Sequence, residues 1–232
     1  MSKSIFITAT GTDVGKTYVT ALLVKALRKA GKNAGYYKAA LSGALAGADG
    51  RLIPGDADQV LRTAGLAEMP ESCVSYIYKE AVSPHLAAQW EGNPAEMAVI
   101  ERDFAAASAR FDYLTVEGSG GIVCPIRWDS QKILLEDIIS HLGLSVLITA
   151  VPALGSINSC VLTAEYLKSR RIPIKGFIMN RFHANDPMEE DNCRMIESLT
   201  QLPIVAKIPD NAQEFPLDPK TLCALYTIPQ RR

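Results

Sequence analysis

Apolar residues fall along this chain in short blocks set between longer amphipathic stretches. Residues 5–8, 34–37, 113–117, 144–151, 174–179 and 204–208 are largely apolar and bounded by turn residues, the pattern of strands buried on both faces. Between the first two, residues 16–30 carry Val19, Leu22, Leu23, Ala26 and Leu27 at helical spacing, and Gly31 stands where a C-cap glycine is expected. Helical patterns recur over 56–64, 95–111, 159–168 and 188–199, the last with Glu189-Glu190-Asp191 as an acidic first turn after Pro187. A glycine-rich stretch, 42–55, reads as a loop. Strands alternating with helices predict an α/β fold: a three-layer, doubly wound, mostly parallel sheet with helices on both faces. No internal repeat interrupts the pattern, and a chain of 232 residues suits a single domain over 1–232.

In such sheets ligands bind beyond the carboxyl ends of the strands, and the chemically informative residues fall there. After the first strand comes ATGTDVGKT, with Gly15-Lys16-Thr17 at the start of a helix. That order builds a phosphate cradle: backbone N–H groups and a helix N-terminus face an anion, Lys16 adds charge and Thr17 can hold Mg²⁺. The full pattern places a glycine where Thr10 stands, with Gly11 one place later. A lysine on a first turn opposes the helix dipole, so structure alone gives no reason for Lys16, whereas a phosphate does. A nucleoside triphosphate is the expected ligand. Lys38 follows the second strand, either as a solvated lysine or as a second cation over a transferring phosphoryl group. Glu117 ends the third strand as a candidate carboxylate for Mg²⁺. Asp56 reads equally as a third metal oxygen or as a helix N-cap after Gly55.

Charge narrows the partners. With 24 basic and 25 acidic residues the net charge is −1, which points to neither a nucleic acid nor a membrane surface. The five cysteines lie far apart with no C-x-x-C, as expected of reduced, mostly buried thiols in a cytoplasmic protein. The first apolar run is too short for a signal peptide and no stretch suits a bilayer span.

Taken together, the motifs resemble the dethiobiotin synthetase family. They are T-x-x-x-x-G-K-T from Thr10, Gly35-Tyr36-Tyr37-Lys38, Ser42-Gly43, Asp56, Ser83-Pro84-His85, Val116-Glu117-Gly118-Ser119-Gly120-Gly121 with Pro125, Leu154-Gly155-Ser156-Ile157-Asn158, and Asn180. The likeness runs from Met1 to about Pro209. It implies a P-loop NTPase-like fold and an ATP-dependent cyclo-ligase that uses Mg²⁺. The family carboxylates 7,8-diaminopelargonic acid with CO₂ and closes a ureido ring through a carbamic–phosphoric anhydride, the penultimate step of biotin biosynthesis. By that resemblance Asp13, Val14, Gly15, Lys16, Thr17, Tyr18, Glu117, Gly118, Gly120 and Asn180 bind the nucleotide, Asn180 at the adenine. Thr17, Asp56 and Glu117 hold the metal. Lys16, Lys38 and Thr12 serve the chemistry, and Thr12, Lys38 and Ser42 contact the diamine or its carbamate. Gly155, Ser156, Ile157 and Asn158 receive the substrate carboxylate across a homodimer interface. The chain departs from the family at Ala9, where a glycine is usual, at Asp13, where a glutamate is usual, and at Ala39, where a proline is common.

Two rival readings share the scaffold. ATP-dependent amide ligases with a glutamine-hydrolysing domain need a longer chain. Partitioning and septum-positioning ATPases carry an extra lysine early in the phosphate loop, and residues 9–14 contain none; the Pro-rich end, 217–232, is no amphipathic membrane tail. His85 reads as a loop histidine, and His141 and His183 lack companions at metal-ligand spacing. Trp90 and Trp128 read as packing residues. Cys124 reads as core, close enough to Gly120-Gly121 that thiol reagents could reach it.

Overall fold

The computed structural model describes residues 2–230. β1 (Lys3–Ala9) leads into α1 (Lys16–Lys29) and β2 (Ala34–Leu41). A small hairpin of β3 (Leu45–Ala46) and β4 (Leu52–Ile53) precedes α2 (Gly55–Ala64). A 3₁₀ turn over Pro70–Cys73 opens β5 (Val74–Ile77), followed by α3 (Pro84–Trp90), α4 (Met97–Arg110) and β6 (Tyr113–Glu117). A second hairpin, β7 (Pro125–Trp128) with β8 (Lys132–Leu134), runs into α5 (Leu135–Leu142). Then come β9 (Val146–Ala150), α6 (Ser156–Ser169), β10 (Ile174–Asn180), α7 (Pro187–Thr200), β11 (Ile204–Ile208) and α8 (Pro219–Leu225).

A seven-stranded sheet in the order β11-β10-β9-β1-β6-β2-β5 is parallel at every pairing. The alternation of side chains along each strand divides the core in two. Ile5, Ile7, Tyr36, Leu147 and Ile178 face one layer with Val19, Leu23 and Leu27 of α1, Val60 of α2 and Leu222 of α8. Phe6, Val116, Ile148, Phe177 and Met179 face the other, packed with Ile100 and Phe104 of α4, Ile138 of α5, Leu167 of α6 and Ile196 of α7. Burial on both faces is why these strands read as continuous apolar runs rather than as alternation. α1 ends as its sequence predicts. Gly31 takes φ +73°, its N–H donates to the Arg28 carbonyl at 2.9 Å, and the Lys32 N–H donates to that of Leu27 at 3.0 Å, a Schellman closure.

The differences from the sequence reading have local causes. β2 runs on to Leu41, so Lys38 lies within the strand rather than after it. β5 gave no apolar run because it is a four-residue edge strand whose positions alternate between buried and half-buried. The glycine-rich stretch holds the β3–β4 hairpin. α3, the β7–β8 hairpin, α5 and α8 were also not foreseen. His85 belongs to the first turn of α3, not to a loop. α8 lies within the Pro-rich end and buries Leu222. The five cysteines are free thiols, four buried and Cys223 half-buried. Among the described residues no helix is long and apolar enough to cross a membrane. Met1, where the family likeness begins, and Arg231 and Arg232, which end the Pro-rich stretch, lie outside the described residues.

Ile7 is fully buried on the central strand. Ile7→Ala is expected to lower stability by about 3 kcal/mol in urea denaturation, from lost transfer energy and the cavity left behind. A loss too small to resolve would mean that the sheet–α1 layer is loosely packed.

Candidate active site

A cavity of about 650 Å³ opens at the carboxyl ends of β1, β2 and β6. Thr12, Asp13, Gly15, Lys16, Thr17 and Tyr18 line it from the phosphate loop and α1. Lys38 and Ser42 enter from β2 and the turn beyond it, Asp56 from α2, and Glu117 and Gly120 from the end of β6 and its loop.

Register accounts for the centre of the site. β2 and β6 pair so that Lys38 lies directly beside Glu117. The Lys38 Nζ donates to Glu117 Oε1 at 2.7 Å, to Asp56 Oδ2 at 2.6 Å and to the Gly118 carbonyl at 3.2 Å. Lys38 is 3% exposed and Glu117 1%. Burial works against the Lys38 charge, but Glu117 and then Asp56 outweigh it and leave its pKa above the ordinary lysine value. Burial likewise opposes the Asp56 charge, and Lys38 overcomes it, holding that carboxyl below its usual range. Both groups therefore stay charged across the neutral range. Asp56 is not the N-cap of α2: Pro54 holds that position, and the Asp56 carboxylate turns inward to Lys38.

The phosphate loop is shaped from behind. Gly15 sits in the left-handed region at φ +90°, and a Cβ there would lie 2.2 Å from Asn180 Nδ2, so no other residue fits without displacing Asn180. Asn180, at the end of β10, donates from Nδ2 to the Val14 carbonyl at 2.9 Å. Asp13 is also left-handed, at φ +59°, a conformation that Asp tolerates better than most residues; this gives its place in the loop a backbone reason. Lys16 folds back to the Gly11 carbonyl at 3.3 Å. Burial, followed by the Lys38 charge, lowers its pKa. Of the two buried lysines in this hollow, Lys38 is held by two carboxylates, whereas Lys16 makes only the long contact to the Gly11 carbonyl and is the cation open to an anion.

Oxygen donors gather beside them. The Thr17 hydroxyl donates to Glu117 Oε1 at 3.0 Å, while Glu117 Oε2 is buried without a hydrogen-bond partner. Hydroxyl and carboxylate oxygens are hard ligands, and Mg²⁺ takes only one or two carboxylates when it shares phosphate oxygens. These residues fit that ion. Among the described residues no group of three or more His, Cys, Asp or Glu is arranged to hold a metal ion by itself.

Val14, Gly118 and Asn180 stand behind the cavity wall rather than on it. Gly155, Ser156, Ile157 and Asn158 lie at the start of α6 and do not line the cavity. Asn192 of α7 fixes that turn by donating to the Pro152 and Ala153 carbonyls at 3.1 and 3.2 Å, and the Ser156 amide is taken by Ala153 at 3.0 Å. Neighbouring Leu154 is 90% exposed. The cavity also takes in Leu41, Gln59, Ser119 and Arg181, which the sequence reading did not single out. Gln59 was legible as one helical turn beyond Asp56, and Arg181 as the neighbour of Asn180 at a strand end. Cys124 is a protonated thiol: burial pushes it up to about 11 despite Lys16 and Lys38, so nearness to the site does not make it reactive.

The family model described as an AAA domain matches residues 3–214. The chain is 48% identical over 227 residues to the ATP-dependent dethiobiotin synthetase BioD of Brachyspira hyodysenteriae, covering 97% of this chain and 100% of that protein. It is 47% identical to the ATP-dependent dethiobiotin synthetase BioD of Clostridium botulinum strain Eklund 17B, over 88% of this chain and 89% of the relative. The chain belongs to the ATP-dependent dethiobiotin synthetase family.

As a dethiobiotin synthetase family member it is an ATP-dependent ligase on a P-loop NTPase fold. That fold is shared with the MinD protein in the MinC:MinD complex of Aquifex aeolicus (TM-score 0.57, 18% identity, covering 91% of this chain and 83% of that one). It is shared also with a ParA family ATPase of Chlorobium tepidum (TM-score 0.56, 16% identity, 98% and 92% covered). At such identities the likeness shows the fold alone, and the partitioning-ATPase reading is not favoured beside relatives of far higher identity.

Lys38→Met would leave the Glu117 carboxylate buried without its cation. The expected loss is about 3 kcal/mol in urea denaturation, because an uncompensated buried charge is costly. The double variant Lys38→Met, Glu117→Gln is expected to recover more than half of it. A double variant no more stable than the single one would show that the pair is not what holds these strands.

Proposed function

We propose that this chain makes dethiobiotin from 7,8-diaminopelargonic acid, CO₂ and ATP, with the cavity beside the phosphate loop as the place of reaction. One amine of the diamine adds to CO₂ and loses a proton, giving a carbamate. A carbamate oxygen attacks the γ-phosphorus of ATP and ADP leaves, forming a carbamic–phosphoric anhydride. The second amine then attacks the activated carbon, phosphate departs, a proton is lost and the ureido ring closes. The reaction needs placement and charge stabilisation more than a protein nucleophile, and the residues supply those two things. Lys16 holds the β- and γ-phosphates with the loop amides of Asp13, Val14 and Gly15. Lys38 stabilises the carbamate and the charge spreading over the γ-phosphoryl group. Thr12 and Ser42 orient the diamine and its carbamate. Thr17, Glu117 and Asp56 would hold Mg²⁺, which when bound neutralises phosphate charge. The two carboxylates that would hold the ion, Asp56 and Glu117, are the ones that hold the Lys38 ammonium in this structure.

The observation that carries this reading is that Lys16, Lys38, Thr17, Asp56 and Glu117, from four separate segments, line one cavity. Asn180 is assigned to the adenine on the family resemblance, and its buried Oδ1, which lacks a hydrogen-bond partner beside the phosphate loop, supports a polar role there. The start of α6, with Gly155, Ser156, Ile157 and Asn158, takes the substrate carboxylate of a second copy's site, which makes the working form a homodimer. Leu154, almost fully exposed beside it, suits such a contact. The setting is proposed as the cytoplasm, on the strength of five free cysteines.

ATP turnover is expected to require both the diamine and bicarbonate, with dethiobiotin formed in equal amount to ADP. Turnover indifferent to either would overturn the synthetase reading in favour of a switch ATPase. Asn180→Ala is expected to erode the preference for ATP over other triphosphates; an unchanged preference in competition assays would remove Asn180 from the base site.

A further inference from the structure

We infer that His183, which does not itself line the cavity, is a positioning residue. As an imidazolium it ties the segment after β11 to the segment after β10, and so fixes the base side of the nucleotide site. The inference rests on the proposed placement of the base beside Asn180.

The geometry is that of a clasp. Arg181, on the cavity wall, and His183 share the short segment that follows β10. Between them the Phe182 N–H donates to the Ile208 carbonyl at 2.9 Å, joining the ends of β10 and β11. The His183 backbone N–H donates to Glu189 Oε2 at 2.8 Å, and its ring Nδ1 lies 2.8 Å from Glu189 Oε1. Its Nε2 lies 3.4 Å from Asp210 Oδ2. Glu189 is a fixed anchor, buried in the first turn of α7. Asp210 begins a segment that α1 grips from the other side: the Tyr18 hydroxyl donates to the Ala212 carbonyl, Lys25 donates to that of Gln213 at 2.8 Å, and Lys29 pairs with Glu214. Tyr18 is itself a cavity residue. Residues 210–214 are thus strung between α1 and the β10–α7 turn, and His183 is the tie on the second side.

Protonation decides whether the tie holds. Ionised carboxylates only accept hydrogen bonds, and a neutral imidazole has a single N–H to donate. Both ring contacts are satisfied together only when both nitrogens carry protons. The charged groups facing the ring are Glu189 from α7 and Asp210 from the segment after β11; the nearby Lys207 cation is engaged by Glu190 and lies 4.4 Å over the Phe182 ring. Glu189 first, then Asp210, raises the His183 pKa above 6.5. A raised value means the tie is complete below the ordinary histidine pKa and is lost as pH climbs through the value in the folded protein.

The test compares wild type, His183→Gln and Asp210→Asn by KM for ATP and by kcat, from about pH 6 to about pH 9, the range in which histidine titrates. Wild type should show KM for ATP rising on the alkaline side while kcat at saturating ATP stays nearly level. Both variants should lose that pH dependence and hold a KM about threefold above the acid-side wild type, the scale of one exposed ion pair. Proton–nitrogen NMR should place the His183 titration above 6.5 in wild type and lower in Asp210→Asn. A His183→Gln variant that keeps the wild-type KM profile, or a His183 titration indifferent to Asp210→Asn, overturns the inference. Failure of the base placement is distinguishable: there Asn180→Ala leaves nucleotide choice unchanged, whereas failure of the His183 role leaves that effect intact.

Discussion

A lysine ammonium buried between two carboxylates governs this molecule. An isolated charge at the position of Lys38 would be prohibitively costly, so its presence within β2 is conditional on Glu117 in β6 and Asp56 in α2. The β2–β6 register delivers the first of these: Lys38 and Glu117 are lateral neighbours in a parallel pair. A slip of one residue would turn Lys38 to the opposite face of the sheet. The layer there contains Phe104, Ile100 and Tyr37, away from Glu117 and Asp56. The charge pair therefore specifies the pairing of the two strands, whatever its net contribution to stability. It also places a lysine on the wall of the cavity at the carboxyl ends of the strands, where the proposed chemistry calls for a cation.

The second constraint is the closeness of Gly15 and Asn180. Gly15 brings the phosphate loop so near to β10 that Asn180 can both fill the space and bind the Val14 carbonyl. A loop whose amides are aimed at an anion must be held open against its own tendency to close on itself. Asn180 holds it from behind, and the Lys16 contact to Gly11 is the loose internal bond that a phosphate would replace. The Lys38 charge acts on Lys16 across the hollow, and Glu117 and Asp56 partly offset it.

Residues whose role follows from chain order were legible in the sequence. Lys16 and Thr17 lie at fixed offsets from a strand, and Glu117 ends an apolar run. The central strands were legible because double burial makes them continuously apolar. What the sequence hid depended on three-dimensional neighbours. Lys38 looked like a residue beyond a strand because a charge inside an apolar run reads as its end; only the carboxylates at 2.6 and 2.7 Å explain why the strand continues through it. Asp56 read equally as a cap or as a metal oxygen, because Gly55-Asp56 is a good capping sequence; only its contact with Lys38 shows that it turns inward. β5 and the two hairpins were hidden by brevity, since runs of two to four residues carry no period. His183 had no companion along the chain, and its partners Glu189 and Asp210 are assembled by the ends of two strands.

Charge placement also separates the cavity proposed as the place of reaction from a second hollow. A second cavity, of about 520 Å³, lies at the amino ends of β9 and β10 and is lined by His141, Arg170, Arg171 and Lys175. Its two arginines and its lysine make it look as suited to an anion as the first. Helix direction separates the two. In a parallel sheet with crossover helices, the helices begin near the carboxyl ends of the strands and finish near the amino ends. α1 and α2 accordingly start at the first cavity, whereas α5 and α6 end at the second, with His141 in or beside one last turn and Arg170 at the other. Cations there complement the partial negative charge of exposed carbonyls, and Arg170 is further engaged by Glu136 and Tyr166. At the first cavity Lys16 sits on a helix start, where the dipole opposes it and gives no structural reason for a cation. The same side-chain charge thus complements a helix terminus at one end of the sheet and opposes one at the other, and it is the opposed cation that the proposed function assigns to phosphate.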